Sequence, residues 1–346
     1  GASAGGLVGL NSGAGHISFS SASGSVDGDS NAGGLVGALE SGTVEHSFAT
    51  GTVFSSQTGG GLVGFVGADA AVTTSYAGVD VVGIGFSVVA GGLVGDNEGT
   101  ISQSYATGSA DGEIAGGFVG INNGTISDAY ATGSAFASNY GGGFVGQNNG
   151  VIDSAYSLGQ GFEFGGTPIL GGFAAFNTGT ITSAYWDTDT SGISADFGGA
   201  SGETSAQLKS ALPDGFDSSV WSIVAGKSFA YLGWQFDGAT PTVISGTVYS
   251  NSGTTKAPNQ EIALQDAGGD LGTIVSYADG SFYKLASSLS SSGLMAVNSD
   301  SGGSAYSDTG DYTGMAIYGS GVRISTADTK FSSLLGNMNA ATGLDD

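Results

Sequence analysis

The residues best spaced for chemistry lie at Asp187-x-Asp189-x-Ser191-Gly192, alternating oxygen ligands that begin like a calcium loop. An EF-hand loop closes on a Glu at its twelfth position, and here that position is Gly198. Asp187, Asp189 and Ser191 are therefore a calcium candidate set whose simpler reading is an acidic turn, since short motif matches are often accidental. The same two carboxylates are the pair to consider for glycoside hydrolysis, which needs two carboxyl groups about 5–10 Å apart. A lyase acting on acidic sugars would need cations to hold its substrate, and residues 1–200 contain no Lys or Arg. The two histidines are His16 and His46, and no His-Glu-x-x-His occurs. No catalytic residue is assigned, no cofactor is expected beyond that calcium set, and the chain reads as a non-enzyme.

Those residues close a phrase that recurs through the first two thirds of the chain. Its cleanest copy runs from Gly91-Gly92-Leu93-Val94-Gly95 through Asn97 and Gly99-Thr100-Ile101 to Ser104-Tyr105-Ala106-Thr107-Gly108. With the second Gly of each pair as marker, copies begin at Gly6, Gly34, Gly61, Gly92, Gly117, Gly143 and Gly172, in steps of 25 to 31 residues. A period of this size marks a solenoid or propeller, in which each unit buries its apolar face only against its neighbours.

Each copy has three parts. A short apolar run bounded by glycines reads as a buried strand too brief for a helix, with glycines supplying positive φ or close backbone approach. A polar turn follows, carrying Asn11, Asn97, Asn122, Asn148 and Asn177 at the fifth position after the marker. Stacked one per coil, these amides form a structural ladder. The third part is a strand, Ile-x-x-x-Tyr, in which residues i and i+4 of an extended chain share a face. Phe48, Tyr76, Tyr105, Tyr130, Tyr156 and Tyr185 are then expected as core aromatics. The polar residue between, such as Gln103 or Asp128, suggests a bend. The first copy has Ser21 in place of the aromatic.

A propeller blade needs about 40–50 residues, so the expected fold is all-β: a parallel β-helix of about seven coils, roughly 30 Å long at about 4.8 Å per coil. Thr50, Thr107 and Thr132 could stack as a hydroxyl row, although turn-flanking Thr is ordinary. Asn123-Gly124-Thr125 matches an N-glycosylation sequon.

Charge narrows the partners. The chain of 346 residues has 6 Lys plus Arg against 30 Asp plus Glu, and the cations Lys209, Lys227, Lys256, Lys284, Arg323 and Lys330 all follow the repeats. Phosphate binding depends on Lys and Arg, so nucleic acid is not expected as a partner. An anionic membrane would repel this surface. There is no Cys, and no apolar run reaches the roughly 18 residues of a membrane-spanning helix. The chain begins inside a copy and is expected to be part of a longer protein.

Gly-Gly-Leu-Val-Gly followed by Asn-x-Gly-Thr-Ile-x-x-Ser-Tyr-Ala-Thr-Gly resembles the GLUG repeat, and the resemblance covers roughly residues 5–190. It implies large bacterial surface proteins similar to filamentous haemagglutinin, exported by two-partner secretion. The repeat also accompanies some secreted immunoglobulin A peptidases, a branch that the missing His-Glu-x-x-His disfavours. By resemblance, then, the chain is a secreted or cell-surface adhesin segment of a Gram-negative bacterium. Its implied partners are a host-cell or abiotic surface, a glycan or extracellular matrix, and an outer-membrane secretion partner for the full-length protein.

The expected division is a repeat β-helix over 1–194, a C-terminal cap over 195–236, and a β-sandwich-like module over 237–346. In the cap, Thr204 to Pro213 reads as a capped helix of two or three turns, and Trp221, Tyr231 and Trp234 are available to cover the solenoid end. Short alternating runs from Val243 to Leu285 suggest the sandwich, resembling the carboxypeptidase-regulatory or prealbumin-like modules of surface proteins. Residues 311–346 either complete it or begin another unit. Three functions follow in order: a rod presenting loops for attachment, with contacts between Gly51 and Gly60 or Gly78 and Gly91; a structural fibre or biofilm-matrix protein that self-associates; and, from fold analogy alone, a carbohydrate-active enzyme.

Overall fold

Neighbouring residues of an extended strand point to opposite faces, yet Leu93 and Val94 are both fully buried. The chain therefore turns a corner there. The same corner recurs at Leu62 with Val63, Phe118 with Val119, and Phe144 with Val145. The first glycine of each pair is required by close approach, since a Cβ on Gly91 would stand 1.8 Å from the Val94 carbonyl oxygen. Positive φ is not the reason, because the left-handed residues of the coil lie elsewhere.

The structure is a computed structural model, and it describes residues 2–250, 255–266, 269–287, 289, 293–298, 303–307 and 312–318. Two compact units divide at Asp237 and Gly238. In the first, 24 strands form one continuous sheet that winds as a parallel β-helix of about seven turns. A representative coil comprises Val94–Asn97, Thr100–Ala106 and Ala110–Gly116. Each strand pairs in parallel with its counterpart one coil on: Asn97 opposite Asn122, Ile101 opposite Ile126, Gly116 opposite Gly142. Like therefore stacks on like. Val44, Val72, Ile101, Ile126 and Ile152 form one fully buried column, each contributing about 1.5–3 kcal/mol of burial. At the corners, Phe118, Phe144 and Phe173 stack with centroids 4.7 and 4.6 Å apart. These phenylalanines are the aromatic core.

The expected core aromatics stack outside the coil interior, where Tyr130 and Tyr156 are nonetheless buried. His46, Thr74, Gln103, Asp128, Ser154 and Ser183, the polar residues two before each aromatic, have φ between 46 and 54°. A left-handed residue reverses the alternation, so Ile101 and Ser104 point inward while Tyr105 points out. Phe48, Tyr76, Tyr105, Tyr130 and Tyr156 stack there as an outer ladder, with centroids 4.9–5.1 Å apart and planes within 6°. Tyr185 leaves the stack and meets Phe216 edge-on. In the first coil Phe19 takes the left-handed position and stacks on His46.

A hydroxyl ladder stabilises the bend. Ser47, Ser75 and Ser104 each donate to the carbonyl two residues back, at 2.8 Å. The hydroxyls of Ser75 and Ser104 also accept the amides of Ser47 and Ser75 one coil before.

Residues 195–236 divide their work differently from a simple end cap. The last coil is covered by residues 195–203: Asp196 Oδ1 accepts the amides of Phe173 and Ala174 at 3.0 and 2.7 Å, and Ser201–Glu203 pairs with Tyr185–Asp187. The aromatic part runs back along the flank as a strap over the tyrosine ladder. Trp221 tilts against Tyr130 and Tyr156, and Trp234 against Tyr105. Polar bonds fix its register: Tyr156 Oη donates to the Ala230 carbonyl at 2.6 Å, and Gln235 Nε2 donates to Tyr130 Oη at 2.8 Å. The expected helix is a single turn, Ser205–Leu208, with Thr204 and Gln207 forming its capping box. It closes on Ser210, whose amide and hydroxyl both donate to the Gln207 carbonyl, at 3.0 and 2.6 Å, and the Lys209 carbonyl beyond it accepts Gly226 N at 2.6 Å.

The second unit places Thr242–Tyr249 between Ser281–Ala286 and Tyr312–Tyr318, and Glu261–Asp266 between Gly269–Val275 and Leu294–Asn298, which in turn pairs with Ser304–Ser307. Ile244, Val248, Ile262, Leu264, Phe282 and Ile317 form one core shared by the two sheets. Residues 312–318 thus complete the sandwich-like module. Asn251-Ser252-Gly253, whose residue types signal a turn between two of these runs, lies outside the described residues, as do Arg323 and Lys330.

Candidate functional site

Asp187 is a fully buried helix cap. Its Oδ1 accepts the amides of Asp189 and Thr190 at 2.8 and 3.2 Å, and its Oδ2 accepts the Ser205 hydroxyl. Burial pushes its carboxyl up to about 6, against the downward pull of these donors. Asp189 Oδ2 accepts the Ser205 amide at 3.0 Å, and Ser191 Oγ accepts the Ile193 amide at 3.2 Å. All three side chains of the calcium set thus serve the turn that leads from the last coil into the segment covering it. Among the described residues no group of three or more His, Cys, Asp or Glu side chains is placed to hold a metal.

The asparagine ladder forms from Asn97 onward. Asn97, Asn122 and Asn148 are fully buried, and each donates Nδ2 to the Oδ1 of the next at 2.7 Å, ending on Asn177. Asn177 donates to the Gly198 carbonyl at 2.9 Å, which ties the ladder to the end cover. Asn11 does not join. Leu39 and Val66 occupy the intervening coils at this position, and Asn11 caps its own turn through the Gly15 carbonyl. Where the ladder meets Val66, Asn97 Oδ1 is buried without a donor.

The outer wall carries what can touch a partner. Thr50 and Thr107 face solvent but are separated by Gly78 in the register, so no continuous hydroxyl row forms. Asn123 of the sequon is exposed and bonds Asp96 at 3.2 Å. Burial, with Glu98 nearby, pushes the Asp96 carboxyl up to about 6.

Two loops leave the wall at one corner. The first lies between Gly83 and Val89, the second between Glu163 and Ile169; in the two coils between them the same corner takes one residue, Glu113, and two, Ser138-Asn139. Their tips are apolar: Phe86 is 100% exposed, Phe164 58% and Ile84 54%. The first falls within the stretch Gly78 to Gly91 expected to carry contacts. The second was missed, although its signal, Phe164 followed by Gly165-Gly166-Thr167-Pro168 inside a 29-residue step, is present in the chain.

The GLUG motif matches residues 28–53. That span is one coil, from the end of the first through Val36–Glu45 to Val53 of the second, and parallel pairing carries the same strand pattern into the coils on either side of the GLUG match. No curated protein and no solved structure matches the chain. Among the described residues no helix is long and apolar enough to cross a membrane.

Proposed function

We propose that this chain is a non-enzymatic binding segment of a secreted or surface-attached bacterial exoprotein of the adhesin type. Its β-helix is a rigid rod that holds loops out for attachment to a cell, a glycan or matrix surface, or an abiotic one. The observation that carries this is the fully exposed Phe86, with Phe164, on loops inserted into a repeating coil. A rigid scaffold with variable loops is the usual arrangement of a binding surface, and apolar side chains grouped at exposed loops mark interaction sites. The GLUG match supports an extracellular setting, and export through an outer-membrane partner of a Gram-negative cell belongs to the same proposal.

The test uses beads coated with the chain, placed on epithelial cells, immobilised glycans and polystyrene. Deleting 84–87 leaves Val88 at the corner, and deleting 164–166 leaves Thr167 and Pro168, the one- and two-residue lengths used by the coils between the loops. The double deletion is expected to keep the parent's urea midpoint and lose most attachment. Attachment equal to the parent on every surface would overturn the reading. Particle mass that grows with concentration in light scattering would instead favour a self-associating fibre.

A further inference from the structure

Between the two loops the wall sinks. The loop at Ile84 and the loop at Phe164 belong to coils three steps apart, about 14 Å at the strand spacing, and the two coils between them turn tightly. Their low stretch is floored by outward side chains in register: Asp111 opposite Phe136, and Ile114 opposite Tyr140. Phe136 continues into Phe162, with rings stacked at 4.7 Å. Glu113 stands at the corner, its Oε1 accepting Asn139 Nδ2 at 3.3 Å. The result is a recess between loops that carry Phe86 and Phe164 at exposed positions, with an apolar floor and two carboxylates.

Its width and charge select the occupant. The two coils between the loops leave a gap of roughly 10 Å, which takes one extended segment and is too narrow for a helix of about 10–12 Å with its side chains. Asp111 is half-buried, flanked in the register by Val82 and Phe136, and burial pushes its carboxyl up. A cation set against it would offset that cost, and the first 200 residues contain none. Anionic phosphates of nucleic acid or lipid would meet only like charge.

We infer that this recess binds a cationic amphipathic polypeptide segment, whose apolar side chains lie on Phe136, Ile114 and Tyr140 and whose Lys or Arg side chains meet Asp111 and Glu113. This rests on the binding function proposed above and names the partner chemistry for one face of the rod. Desolvated aromatic anchors supply most of the affinity at such surfaces, and the charge pairs set which segments are accepted.

The probe is a dye-labelled synthetic peptide of alternating Leu and Lys, followed by fluorescence anisotropy, with the Leu-Glu peptide as its counterpart. The pair Phe86→Ser with Phe164→Ser, and the pair Asp111→Asn with Glu113→Gln, are each expected to weaken the Leu-Lys peptide by at least about tenfold. The exposed pair Glu40→Gln with Asp69→Asn removes the same charge elsewhere and is expected to stay within about twofold. The Leu-Glu peptide is expected not to bind. Equal weakening by recess and control pairs would show general attraction to an acidic rod and overturn the proposal. So would absence of Leu-Lys binding, and if bead attachment persists in that case, the binding function stands while this partner class falls. Loss of both removes both.

Discussion

Trp221 donates its indole N–H to Asp128 Oδ1 at 2.9 Å across 93 residues of sequence, joining the strap to a left-handed bend in the wall. Burial raises the Asp128 carboxyl, with Asp153 and Asp217 adding to the rise, and the indole bond holds it down. Trp221→Phe keeps most of the packing and removes the donor. The Asp128 carboxyl is expected to titrate at higher pH in that variant, as read by NMR of its side-chain carbon. Trp221→Ala also opens a cavity in a fully buried site and is expected to cost about 3–5 kcal/mol in urea unfolding.

The asparagine ladder predicts an asymmetry between its middle and its end. Asn122→Leu leaves the Asn97 amide without its ladder acceptor and Asn148 Oδ1 without its donor, at about 1–3 kcal/mol for each buried group. Asn97→Leu strands Asn122 Oδ1 alone and removes an oxygen that already has no donor. The middle variant is therefore expected to have the lower urea midpoint. Equal midpoints would show that the stacked amides contribute nothing specific.

Thr74 is β-branched and has φ of 50°, a conformation costing roughly 1–2 kcal/mol for an L-residue and less for Asn or Gly. Thr74→Asn is expected to raise stability by about 1 kcal/mol. The same change at Thr73, one residue earlier on the ordinary strand Val63–Thr73, is expected not to.

Asp96 makes the stability of the chain depend on pH. Its carboxyl is pushed up to about 6 by burial, then by Glu98, against the hydrogen bond from Asn123. The folded state therefore holds its proton more tightly than the unfolded chain. The stability this provides is fully present below the ordinary carboxylate range and is lost as pH rises through about 6. Asp187 acts in the same direction. The urea midpoint is expected to rise from pH 7 to pH 5, and Asp96→Asn, which can still accept from Asn123, is expected to flatten part of that rise. An unchanged slope would locate the dependence elsewhere.

The repeat period, the parallel winding, the asparagine stack from Asn97 to Asn177 and the separate strand-rich unit after the strap were legible in the chain because each is local and recurs in register. A Gly-Gly pair before Leu-Val, read several times over, leaves little freedom in how coils stack. The side on which Tyr105 points was not legible. It depends on Gln103 adopting a left-handed backbone that the residue type does not favour, held by a serine ladder formed between coils. The strap was equally hidden, since Trp234 bonds the Gln103 carbonyl 131 residues away and no local pattern announces such a partner. Sequence alone determined what stacks on what, because like residues recur at a fixed period; tertiary structure decided which face is covered and which stays open, because that is fixed by contacts between segments far apart in the chain.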